Sequence, residues 1–103
     1  MKKVVIEFQY FESCPNHKKL YENLLSAISD IEEKIILRIK QVIDEKDARA
    51  IKFRGSPTIL INGEDLENMP EPDFPTLSCR FYANGLPDSE TIKKNILKYL
   101  SQN

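Results

Sequence analysis

The chain has 103 residues, 41% hydrophobic and 30% charged, with a formal net charge of −1. That composition fits one folded domain over 1–103 and excludes a disordered chain. No basic block offers a phosphate footprint, so no nucleic-acid partner is expected, and no apolar run is long enough to span a bilayer.

The N-terminus, Met1-Lys2-Lys3, runs straight into a strand pattern holding Glu7 and Gln9. It shows no signal-peptide segment, so no membrane association and a cytoplasmic location are expected. Two cysteines there read as free thiols, redox centres or ligands. The first strand is predicted over Val4 to Phe11, apolar at most positions as in a central strand. A helix follows from Pro15 to Glu32, with Leu20, Leu24, Leu25, Ile28 and Ile31 at helical spacing. A second strand covers Lys34 to Val42, and the strand–helix–strand order implies a parallel crossover.

A short helix is predicted from Glu45 to Phe53, with Asp44 as N-cap and Gly55 as its stop. Ser56-Pro57 opens a third strand, Thr58 to Asn62, closed by the Asn62-Gly63 turn signal. Glu64 to Thr76 is acidic and broken by Pro70, Pro72 and Pro75, too long for an ordinary hairpin loop. A fourth strand is predicted over Leu77 to Ala83. A last helix starts near Asp88, with Ile92, Ile96, Leu97 and Leu100 on one face. The order is βαβαββα, which predicts an α/β domain with a mixed four-stranded sheet and helices on both faces.

Cys14 stands at the first strand-to-helix turn, before Pro15. Free N–H groups and the positive end of the helix dipole stabilise a thiolate at such a place. His17 follows three residues on, so the motif is Cys14-Pro15-Asn16-His17 and not CxxC. A side chain at that spacing can approach the sulfur, as an imidazolium that favours the thiolate or as a base that takes its proton.

The element order, Cys14 at the first turn and Ser56-Pro57 entering the third strand together resemble the thioredoxin fold in its minimal form. Tyr10-Phe11-Glu12-Ser13-Cys14-Pro15-Asn16, the stretch from Phe53 to Gly63, and Leu77-Ser78-Cys79-Arg80-Phe81-Tyr82 are similar to the DF family of (seleno)proteins. Some members of that group carry an alkylmercury lyase label. The resemblance implies a cis Ser56–Pro57 bond facing Cys14, with the preceding backbone free to pair with a peptide or glutathione. Two features depart from the pattern: the second cysteine of a dithiol motif is missing, and the nearest first-strand acid, Glu7, is one residue out of register.

Monothiol exchange follows as the expected chemistry. Cys14 is the nucleophile and His17 tunes it. Ser56 and Pro57 shape the substrate groove, and Tyr10 and Phe11 line its rim. Partners are protein or small-molecule thiols and disulfides, with no bound cofactor beyond glutathione as a co-substrate. An external thiol must resolve the adduct unless Cys79 reaches Cys14. The expected topology places Cys79 near the start of a returning strand, at the hairpin end remote from Cys14, as a small core residue, unless the Glu64–Thr76 loop folds back. Two other classes stay open: soft-metal or organomercurial handling, with Cys14 and Cys79 as ligands, and a redox-inert peptide-binding module whose acidic loop favours basic partners.

Overall fold

The computed structural model describes residues 3–102, so Met1 and Lys2 of the N-terminal pattern lie outside the described residues. β1 (Val4–Tyr10) alternates, with Val4, Ile6 and Phe8 all buried in one core. It lies second in a four-stranded sheet of order β2-β1-β3-β4. β2 (Ile35–Gln41) pairs with it in parallel, Val4 opposite Ile35 and Tyr10 opposite Gln41. β3 (Thr58–Ile61) pairs with it antiparallel, Ile6 opposite Ile61. The mixed α/β sheet and the βαβαββα order are those of the thioredoxin fold.

α1 (His17–Ile28) and α3 (Ser89–Ser101) cover one face. Leu20, Leu24 and Ile28 of α1 meet Ile92 and Ile96 of α3 over Val4, Ile6 and Phe8. Burying such aliphatic side chains supplies about 1.5–3 kcal/mol each against the chain entropy of folding. α1 is shorter than its apolar spacing predicts. Asn16 holds a left-handed φ of 76° and delays the start past Pro15, and the helix closes at Ser29. Ile31 and a 3₁₀ turn at Glu32–Lys34 lead into β2 instead.

α2 (Glu45–Ala50) lies beyond the carboxyl end of β2, capped by Asp44, whose side chain accepts the Asp47 N–H. The Asp47 carboxylate sits 3.8 Å from Lys40, from the face opposite the main core. A second small core gathers here from Val42, Ala48 and Phe53, with Phe11, Ile51 and Leu77 against it. The chain turns out of α2 at Lys52, φ 53°, and not at Gly55. Gly55 therefore has another task.

The fourth strand departs from expectation. The Asn62-Gly63 turn forms, with positive φ at both residues, as a two-residue hairpin requires. The returning strand is only Glu64–Asp65 (β4), and not Leu77–Ala83. It ends at a turn in which the Asp65 carboxylate accepts the Glu67 and Met69 N–H groups and Asn68 takes a left-handed φ of 62°. The chain then travels back toward the Pro57 end through irregular backbone anchored on its way. Arg54 Nε donates to the Met69 carbonyl, Lys52 Nζ lies 3.6 Å from Glu71, and the Leu77 N–H donates to Glu45. Residues 78–80 arrive beside Ser56, in a single parallel bridge between Ser56 and Cys79.

Candidate functional site

The turn after β1 is fixed from three sides. The Val42 N–H donates to the Tyr10 carbonyl at 2.8 Å and the Cys14 N–H to the Phe11 carbonyl at 3.1 Å. Ser56 Oγ accepts the Phe11 N–H at 2.8 Å and donates back to the Phe11 carbonyl at 3.3 Å. Ser56 is thus a buried clamp between the turn and the third-strand loop. Its peptide to Pro57 is cis, as the resemblance implies.

Cys79 does reach Cys14. The two form a disulfide with Cα atoms 5.5 Å apart. The expectation of a remote Cys79 in the core, and of a lone thiol, is corrected. It assumed a long fourth strand starting at the far end of the hairpin. The real return path is the proline-broken loop, which folds back and delivers residue 79 to the cysteine turn.

This return also fills the edge that the resemblance leaves open for a peptide. The Ser56 N–H donates to the Ser78 carbonyl, and the Arg80 N–H donates to the Ser56 carbonyl, both at 2.9 Å. Gly55, φ 103°, makes the approach possible: a Cβ there would lie 2.9 Å from Arg80 Cβ. Tyr82 adds a 2.6 Å hydrogen bond from its hydroxyl to the Pro57 carbonyl.

The deepest anchor is an ion pair. Arg80 Nη1 and Nη2 bind Asp65 Oδ1 and Oδ2 at 2.7 and 2.9 Å, with side chains only 3% and 1% exposed. Arg80 also donates to Thr58 Oγ1 at 3.2 Å, and its guanidinium lies 4.7 Å above the Tyr82 ring. Asp65 accepts further bonds from the Glu67 and Met69 N–H groups. Burial alone raises the Asp65 carboxyl. The Arg80 hydrogen bonds, the Met69 N–H and the Arg80 charge outweigh it and hold the carboxyl below the ordinary carboxylate value. Burial pushes the Tyr82 phenol well up.

His17 is half-buried and stacks on Tyr10, with ring centroids 4.9 Å apart. With Phe8, Tyr21 and Ile39 these rings wall a cavity of about 320 Å³. His17 also shares a shallow depression with Ser13, Cys14 and Pro15. Phe11 packs into the second core. Glu7 accepts the Gln9 amide at 2.6 Å on β1. Three of the five acids of the loop have partners: Asp65 is spent on Arg80, Glu64 accepts the Tyr99 hydroxyl and Glu71 faces Lys52, while Glu67 and Asp73 are exposed.

Asp65, Arg80, Tyr82 and Gly55 carry the geometry, and none was picked out from the sequence for this role. The available signal was an arginine inside the aromatic stretch Cys79-Arg80-Phe81-Tyr82, which a solvated loop has no use for. Neither family models nor curated proteins give a match to this chain. Among the described residues no group of three or more His, Cys, Asp or Glu side chains is gathered as a metal site, and no helix is long and apolar enough to cross a membrane.

Proposed function

We propose that this protein is a thiol–disulfide redox protein that cycles between a dithiol and the Cys14–Cys79 disulfide. The observation that carries this reading is the disulfide itself, formed across 65 residues of sequence at a thioredoxin-like cysteine turn beside Pro57. In a reducing compartment a disulfide is a transient, working bond more often than a staple.

The cycle needs no external resolving thiol. One cysteine thiolate attacks a partner disulfide, RS–SR, forming protein–S–SR and releasing RS⁻. The second cysteine, as thiolate, then attacks the bonded protein sulfur. The Cys14–Cys79 bond forms and the second RS⁻ leaves. The partner gains two electrons and the protein loses them. Glutathione fits as a co-substrate on the partner side.

The test uses reduced protein and a small disulfide such as hydroxyethyl disulfide. The expected product is protein 2 Da lighter, with both thiols blocked to alkylation and no stable adduct. Neither Cys14→Ser nor Cys79→Ser should become 2 Da lighter, and the variant that keeps the attacking sulfur should stop at a mixed disulfide. Wild type that reacts no faster than a free cysteine, or that accumulates the adduct, would remove the proposal.

A second reading rests on the same proximity. Two thiols this close also suit a soft cation such as mercury(II), which thiolates select. One mercury bound per reduced chain, lost in either single variant, with no turnover of disulfides, would favour it over the redox cycle.

A further inference from the structure

We infer that Cys79, and not Cys14, is the sulfur that exchanges with partners, and that Cys14 is the inner sulfur that closes and opens the internal bond. This rests on the redox reading above and assigns its order of attack. The thioredoxin-like position of Cys14 would suggest the reverse.

Three observations place the sulfurs. Cys14 is 2% exposed, whereas Cys79 is exposed, between exposed Ser78 and the 85%-exposed Phe81 two residues on. A thiolate must approach the sulfur it attacks, so access selects Cys79. Next, the flank of Cys14 is closed by the chain itself. Both backbone groups of Ser56 are bonded to residues 78 and 80, and the buried Asp65–Arg80 pair anchors that segment through contacts that involve neither sulfur. A partner peptide has no free edge at Cys14.

The third observation is the leaving group. α1 begins two residues after Pro15, with no acid in its first turn and no side-chain cap on its N–H groups, while Lys18 and Lys19 stand there. The first turn itself carries no acid, Glu12 of the preceding turn being the one carboxylate that lines the depression with Cys14 and His17, and a stabilised thiolate leaves faster. So the partner thiolate RS⁻ attacks Cys79 Sγ. The Sγ–Sγ bond breaks, the Cys79–S–SR bond forms, and Cys14 departs with the electron pair as a thiolate. A second RS⁻ then attacks the partner sulfur of that adduct, giving RS–SR and the Cys79 thiolate. In the opposite direction Cys79 attacks the partner disulfide, and Cys14 displaces the partner sulfur from Cys79.

Sulfite is a probe that records the choice, because it adds to one sulfur and releases the other as a thiol. The oxidised wild-type protein is treated with sulfite without denaturant, quenched, and its free thiol blocked with N-ethylmaleimide. Peptide masses then show which cysteine carries the 80-Da sulfonate. The expected result is the sulfonate on Cys79 and the maleimide on Cys14, by roughly tenfold or more. Sulfonate on Cys14, an even split, or no reaction of the native protein overturns the assignment and leaves the redox cycle standing. Failure of the protein to become 2 Da lighter under oxidant is different: it removes the cycle and the assignment together.

Discussion

Asp65 and Arg80 are the residues whose loss the site should feel most. Each is buried, and each is the other's main partner, so removing one leaves an uncompensated charge inside the protein. Asp65→Asn is expected to cost about 3–5 kcal/mol at neutral pH. The sign of the pH dependence follows from the lowered carboxyl. A carboxyl held lower in the folded chain contributes its full stability above the unfolded value of about 3.9 and loses it as pH falls through the folded value. Urea titrations at pH 7 and pH 3 should therefore show wild type weakening in acid and its gap to the Asn variant narrowing by up to about 1 kcal/mol. A gap as wide at pH 3 as at pH 7 would mean that the ionised carboxylate is not the source. The double variant Asp65→Asn with Arg80→Met removes the stranded charge and should recover part of the neutral-pH loss, which distinguishes the ion pair from simple packing.

At the scale of elements, the cysteine-bearing segment 78–80 acts as a substitute strand laid on the Ser56 edge. Gly55 decides how close it can lie. Gly55→Ala imposes both a left-handed φ and a contact near 2.9 Å on Arg80 Cβ, whereas Gly63→Ala imposes a left-handed φ of 84° with nothing within 4 Å. The φ penalty is about 1–2 kcal/mol for each. Only Gly55→Ala should loosen the segment, read as roughly tenfold faster hydrogen exchange at the Ser56 and Arg80 amides, with Gly63→Ala unchanged there. Equal effects from both variants would show that strain, and not the close approach, is what matters. Local signals explain why so much of this fold was legible. The apolar spacing of Leu20, Leu24 and Ile28, the Asp44 and Asp88 caps, and the Asn62-Gly63 turn each act within a few residues. The path from Asp65 to Cys79 was not legible, because prolines erase periodicity and leave side-chain anchors to choose the route. Arg54, Glu45 and Asp65 meet their partners at separations of 15, 32 and 15 residues, which no short-range pattern encodes. The same blindness hid the Cys14–Cys79 pairing and gave Gly55 the role of a helix stop.

For the whole molecule, the disulfide ties the first turn to the end of the long loop and so closes most of the chain into one ring. A closure of 65 residues removes enough freedom from the unfolded chain to stabilise the fold by about 4 kcal/mol in the chain-entropy account. For a domain of this size that is a large share of a total of about 5–15 kcal/mol. Reduction should therefore lower the urea midpoint strongly and move the melting temperature down by on the order of 20 °C. Stability and redox chemistry are then two views of one cycle. The free energy that the disulfide adds to the folded chain must equal the difference between the folded and unfolded dithiol couples. At 1.4 kcal/mol per 30 mV, about 4 kcal/mol corresponds to a folded couple about 90 mV more reducing than the same cysteines in urea. Glutathione equilibration with and without denaturant measures that difference, and urea titration of the oxidised and reduced protein measures the other side. Agreement near 4 kcal/mol is expected if the segment stays docked on Ser56 after reduction. Loss of hydrogen-exchange protection at the Ser56 and Arg80 amides on reduction would show that the segment leaves with the bond, and that Asp65 and Arg80 do not hold it alone.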